Sequence, residues 1–267
     1  MKLKTLFFFF ALMPGLSACV TTTSGGFNVE PSQERALQDF IQLATAYYEA
    51  GDMTAARRHI TNALAINSRS AEAYNVQALV LQREGETRLA EENFRKALSY
   101  DVNNSRARNN YAAFLFAQER YEDAYAQLER VSADTSYEAR ALVFENLGLT
   151  ALQMQRQQQA IAAFERALLL DTNMYRSALE LALIKFEQGE FAEAMRYYNQ
   201  FLVSSNFFNV PQSARSLWLG VQLERRFDNP ERAALYGVLL ERLYADSMEY
   251  QYYKNSSNGR SDDYGRQ

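Results

Sequence analysis

Residues 71–104 read AEAYNVQALVLQREGETRLAEENFRKALSYDVNN, and their spacing decides the architecture. Apolar side chains recur at helical intervals on both sides of Gly85: Tyr74, Ala78 and Leu81 before it, Ala90, Phe94 and Ala97 after it. A period of three to four residues broken by a glycine is the pattern of two amphipathic helices joined by a tight turn. Ala78 and Ala90, twelve residues apart, mark the place where the two helices cross with no room for a larger side chain. Outward from this stretch, Ala78 has counterparts at Ala44, Ala112, Gly148 and Ala182, separated by steps of 34, 34, 36 and 34 residues. Ala56, Ala124, Ala160 and Ala194 repeat Ala90 in the same rhythm. One such hairpin cannot bury its apolar face alone, so the copies must stack.

A 34-residue period of helix hairpins with small residues at the crossings is the tetratricopeptide repeat (TPR) signature. The fold class expected is all-α, a right-handed superhelical solenoid of TPR hairpins, with about five clear repeats and a degenerate sixth. The clear repeats span 37–70, 71–104, 105–138, 141–174 and 175–208, and the sixth spans 212–246, within a solenoid of 35–253. Two extra residues, Ala139 and Arg140, account for the 36-residue step and are expected to lengthen a loop between hairpins. In the sixth repeat Asn229 is placed to cap a helix with Pro230 at its first position. Trp218, Tyr250, Tyr252 and Tyr253 are expected to close that end, and 254–267, rich in Ser, Asn, Gly and charge, reads as a disordered tail.

The amino terminus reads as an address. Lys2 and Lys4 precede an apolar run from Leu6 to Met13 that is far shorter than the roughly 18 residues of a membrane span, and Pro14 and Gly15 break it. Residues 1–18 are expected to be a lipoprotein signal peptide, because Leu16, Ser17, Ala18 and Cys19 resemble the bacterial lipobox, whose cysteine is lipidated and becomes the first residue of the mature chain. Cys19 is the only cysteine, so no disulfide is available to the fold. Residues 19–34 follow as the lipidated cysteine and a flexible tether of Thr, Ser, Gly and Asn. In lipoproteins of this kind an aspartate after the cysteine retains the protein at the inner membrane; Val20 stands there, which implies the periplasmic face of the outer membrane. Several acyl chains, each contributing about 0.8 kcal/mol per buried CH₂, would hold it there.

Without residues 1–18 the chain keeps 26 basic against 32 acidic groups. A mildly acidic surface without clustered Lys and Arg argues against nucleic acid as a partner. Nothing points to a cofactor or a small-molecule substrate. His59, the sole histidine, stands between Arg58 and Ile60, no His and Cys cluster has metal-ligand spacing, and no glycine-rich phosphate loop is present. The chain is therefore expected not to be an enzyme, and a hydrolase hidden in the repeats would have only His59 to work with.

A binding scaffold remains. The residues of each first helix that do not enter the core line the concave groove, and reading them across repeats gives Ile41, Tyr48, Asn75, Leu79, Asn109, Asn110, Phe116, Asn146, Leu149, Leu152, Leu183 and Phe186 as candidates for partner binding. Asparagine both donates to and accepts from a peptide backbone, and the aliphatic groups suit the apolar side of an amphipathic segment. TPR grooves that hold a carboxylate tail resemble one another in having Lys at the fifth position and Asn at the ninth, a pattern absent here. The competing reading of each candidate is packing against its neighbours.

Particular strings narrow the family. Asn109, Asn110 and Tyr111 before Phe114 and Leu115, then Glu145 to Leu149, then Ala214 to Leu217 with Leu219 and Gly220, and finally Arg242, Leu243 and Tyr244 with Glu249, Tyr250 and Gln251, resemble the PilW/PilF family of type IV pilus biogenesis lipoproteins. The likeness runs from the lipobox to about Tyr253. It implies a pilotin, an outer-membrane lipoprotein that binds the secretin subunit PilQ and promotes its outer-membrane targeting and multimerisation. The family supplies no short contact motif to transfer, so the groove candidates rest on repeat geometry alone. The alternative is another envelope TPR adaptor, serving barrel assembly or recruiting murein enzymes.

Overall fold

A computed structural model describes residues 32–257, and among them the regular secondary structure is thirteen helices with no strand. The expected signal peptide (1–18), Cys19 with most of the expected tether (19–31) and the end of the expected tail (258–267) lie outside the described residues. The helices pair in order as antiparallel hairpins. The first five are α1 (Gln33–Glu49) with α2 (Met53–Ile66), α3 (Ala71–Arg83) with α4 (Thr87–Tyr100), α5 (Ser105–Ala117) with α6 (Tyr121–Ser132), α7 (Arg140–Gln153) with α8 (Gln157–Leu170), and α9 (Tyr175–Glu187) with α10 (Phe191–Phe207). The degenerate sixth pairs α11 (Ala214–Arg226) with α12 (Pro230–Leu243), and α13 (Met248–Ser257) packs on both. The helices α1, α3, α5, α7 and α9 also touch one another in succession, and Arg215 of α11 reaches Glu180 of α9, so the described residues form an all-α TPR stack. No described helix is long and apolar enough to cross a membrane.

The two rows of small residues are where the helices meet. Every alanine of both rows is buried, from Ala44 and Ala56 to Ala182 and Ala194. Gly148 interrupts the first row because a Cβ there would overlap the ring of the fully buried Phe164. The turns are built alike. Gly51, Gly85 and Gly189 take positive φ between the paired helices, and the next amide reaches back to close the helix, as Asp52 N donates to Tyr47 O and Glu86 N to Leu81 O. Polar caps start several helices: Asp52 accepts from Ala55 N at 2.9 Å, Asn104 from Ala107 N at 2.9 Å, and Asn229 caps α12 with Pro230 first in the helix.

Three boundaries differ from the sequence expectation. The tether ends before 34, because the Ser32 hydroxyl caps α1 by accepting from Arg35 N. Arg140 does not lie in the lengthened loop, which covers 133–139; it opens α7 and its Nε donates back to Ser132 O at 2.9 Å. Residues 254–257 are helical and not a tail, since α13 runs to Ser257 and is tied down by Arg225 Nη1 donating to Ser256 Oγ at 2.7 Å. The aromatic closure of this end takes a definite form. The buried position four residues after the second-row alanine carries Ile60, Phe94, Leu128, Phe164 and Tyr198 in the first five repeats. In the sixth, four residues after Ala233, it is Gly237, and the Tyr253 ring of α13 fills the space its side chain would occupy.

Candidate partner-binding groove

Where α1, α3 and α5 lie side by side, their free faces enclose an open cavity of about 820 Å³. Ile41, Tyr48, Asn75, Leu79 and Asn110 line it, together with Leu37, Gln38, Gln42, Thr45 and Val76. Its charged lining is acidic, with Glu34, Glu49 and Glu72 against Arg106. Arg83 lies behind Tyr48: its guanidinium is over the Tyr48 ring at 4.9 Å and its Nη1 donates to Tyr48 O at 2.6 Å. Stacking and hydrogen bond together hold the tyrosine in place.

The asparagines are shared between the repeats. Asn75 and Asn109 are buried, and each uses its side-chain oxygen to accept from the asparagine of the following repeat, Asn110 Nδ2 at 3.0 Å and Asn146 Nδ2 at 3.3 Å. The ladder continues with charge. Glu145, at the place of Asn75 and Asn109, is buried and accepts from both the amide and the hydroxyl of Ser177, at 3.1 and 3.0 Å. Burial pushes its carboxyl pKa above the usual range, and the Ser177 hydrogen bonds offset only part of that. One repeat on, Glu180 receives both Nη groups of Arg215, at 2.8 and 3.1 Å. A buried polar group must find a partner, and along this face the partners come from the next hairpin.

The remaining candidates lie away from the cavity. Phe116 packs edge-on against Tyr121 at 5.2 Å, and Phe186 against Phe191 at 5.3 Å, the same pair in the third and fifth repeats. Leu149, Leu152 and Leu183, all half-buried, pack with Phe186 against the core of the last repeats. Gln38, Glu49, Glu72 and Arg106, which are not among the candidates named from the sequence, occupy the second and thirteenth places of the repeat, two of the places that face the groove. His59 is stacked on Tyr47, 5.3 Å between centroids and 4° from parallel, with Phe40 at 5.9 Å and no hydrogen-bond partner on Nδ1. No group of three or more His, Cys, Asp or Glu among the described residues is placed to hold a metal.

A concave cavity with an aliphatic floor, amide groups and an acidic lining suits a polypeptide segment. Models of the tetratricopeptide repeat match residues 81–142 and 145–214. The type IV pilus assembly protein PilF of Pseudomonas aeruginosa is 41% identical over 243 residues, which cover 91% of this chain and 94% of that protein. The chain belongs to the PilW/PilF family of type IV pilus assembly proteins. A solved structure of P. aeruginosa PilF superposes with a TM-score of 0.80 at 41% identity, covering 84% of this chain and 99% of the other. PilW, described as a widely conserved type IV pilus biogenesis factor, superposes with a TM-score of 0.68 at 24% identity over 82% of this chain and 99% of its own, a likeness of fold. Within the PilW/PilF family the fold is thus a TPR solenoid, and proteins of this kind act by binding other proteins.

Proposed function

We propose that this protein is an outer-membrane lipoprotein pilotin for type IV pilus biogenesis, anchored through Cys19, that binds the secretin subunit PilQ and promotes its targeting and multimerisation. The observation that carries the reading is family membership along nearly the whole chain, at 41% identity to PilF. The open cavity on the first three repeats supplies the chemistry: Ile41 and Leu79 for apolar side chains, Asn110 and the glutamines for backbone. The lipid supplies location. A secretin subunit held by such a groove travels with the anchor, and no bond need be made or broken.

The test is co-purification from detergent-solubilised outer membranes of the native host, with the retained protein identified by mass. PilQ is the expected companion, and Cys19→Ser is expected to release a folded repeat domain into the periplasm while PilQ multimers are lost from the outer membrane. Retention of barrel-assembly or murein-processing proteins in place of PilQ would transfer the protein to the other envelope adaptors. Normal PilQ multimers with Cys19→Ser would remove lipid-driven targeting.

A further inference from the structure

The fourth place of the repeat is Phe40, Tyr74, Phe144 and Ala178 in the first, second, fourth and fifth hairpins, and Arg108 in the third. Arg108 is nevertheless buried, at 7% exposure. Its guanidinium is held by neutral acceptors: Nη1 donates to Gln127 Oε1 at 2.7 Å and Nη2 to the carbonyl of Val102. No carboxylate among the described residues forms an ion pair with it. Burial, and then the neighbouring Arg130, lower the pKa of Arg108, with Asp101 acting the other way. A buried cation without a counter-ion, facing a second cation, is an arrangement that a folded chain keeps at a cost.

The second irregularity of the solenoid lies beside the first. The 36-residue step follows the third repeat, and its loop, 133–139, forms part of the same pocket, an open cavity of about 590 Å³ at the loop edge of the stack. Arg108 and Arg130 line it with Asn103, Ser105, Asp134 and Ser136, and it shares no residue with the concave groove. Both serine hydroxyls are already used, each donating to Asp134 at 2.6 Å. The donors left for a ligand are therefore the guanidinium N–H groups and the side-chain amide of Asn103, and only the former are charged. Two arginines against one aspartate leave the lining one positive charge in excess, the complement of a single carboxylate, whereas a dianion would meet Asp134.

We propose that this pocket binds one carboxylate side chain of an acidic polypeptide segment, with Arg108 as the fixed anchor and Arg130 as the exposed second fork. The site is independent of the groove and of the secretin reading.

Fluorescence anisotropy with a labelled hexaglutamate peptide and the full-length protein in detergent, against hexaglutamine as the neutral control, tests it. Hexaglutamate is expected to bind saturably and in a salt-sensitive manner, hexaglutamine not at all, and Arg130→Ala to weaken binding about tenfold, the scale of a lost charge-assisted hydrogen bond. Arg108→Phe introduces the aromatic that the first, second and fourth repeats carry, so it is expected to abolish binding while unfolding at the same or a higher temperature. Absence of saturable hexaglutamate binding overturns the proposal, as does binding indifferent to Arg130→Ala, which decides the matter even if Arg108→Phe does not fold. Inorganic phosphate that displaces the peptide at equal concentration, through the same arginines, also overturns the carboxylate assignment.

Discussion

From Ala151 in α7 to Leu240 in α12, the buried apolar side chains form one continuous cluster, with Tyr250 and Tyr253 of α13 packed against it. The remaining buried apolar side chains divide among four smaller clusters, one of which joins Leu128 and Val131 of α6 to Val143 and Leu147 of α7 across the 133–139 loop. The difference begins on the concave side. In the later repeats the free face of each first helix carries Leu149, Leu152, Leu179, Leu183 and Phe186, which pack against the cluster and extend it. In the first repeats the corresponding places include Thr45 and Asn75, which do not fill the space, and a cavity opens. One repeat design thus takes two forms: the carboxyl-terminal half closes its concave face with leucines, whereas the amino-terminal half, although Ile41, Tyr48 and Leu79 also pack on its cores, leaves that face open.

Removing the same side chain from each half is the strongest way to break this division. Phe94 and Phe164 hold equivalent buried places, and truncation of either to Ala is expected to cost about 3–5 kcal/mol. If the halves are separately cohesive, Phe94→Ala lowers a first urea transition while the second, reporting 151–253, stays in place, and Phe164→Ala does the reverse. A single transition displaced equally by both variants would show one cooperative unit.

A charge placed on the concave face distinguishes cohesion from binding. Leu183→Glu is expected to destabilise the fold by about 2 kcal/mol, because a side chain packed on the core is exchanged for a carboxylate. Ile41→Glu, in the cavity wall of the first helix and packed on the core of the first hairpin as well, is expected to cost about 1–2 kcal/mol and to abolish partner capture. Circular dichroism melts alongside the co-purification read both quantities, and the division fails if Leu183→Glu leaves stability unchanged while releasing the partner.

The boundary between the halves carries a pH signature. Since the folded pKa of Glu145 lies above its unfolded value, ionisation works against the fold, and this penalty is present above the raised value and relieved as pH falls toward the ordinary one. Glu145→Gln keeps an acceptor for Ser177 without the charge. It is expected to be more stable than the parent at pH 7, with the gain shrinking as pH falls through the raised value and gone below the unfolded one. Urea midpoints from pH 4 to pH 8 check the sign; a gain that grows on acidification contradicts the burial geometry.

How much of this was legible follows from how local each constraint is. Small residues at a helix crossing are fixed within one hairpin and recur with it, so Ala44 to Ala182 and Ala56 to Ala194 declare the fold, as Asn229 declares its cap. The asparagine ladder is different: that Asn75 meets Asn110, and Asn109 meets Asn146, depends on how one hairpin leans on the next, which no period reveals. For the same reason the packing of Leu149 and Leu183 on the core is not legible from their places on the concave face. The end of α13 was hidden because Lys254, Asn255 and Ser256 have no apolar rhythm, and Arg225, some thirty residues earlier, supplies the tether.

The smallest expected effect offers the finest test of the two halves. The turn residue that is Gly51, Gly85 and Gly189 in three repeats is Glu119 in the third and Gln155 in the fourth, held at φ 58° and 57°. A left-handed conformation costs a residue with a Cβ roughly 1–2 kcal/mol, and glycine's larger entropy loss on folding takes back part of what it would relieve. Glu119→Gly and Gln155→Gly are each expected to stabilise by about 0.5–1 kcal/mol. The two strained turns lie on opposite sides of the 133–139 loop. If that loop separates two cohesive units, Glu119→Gly raises only the first urea transition and Gln155→Gly only the second, whereas a solenoid that unfolds as one body gains the same from either.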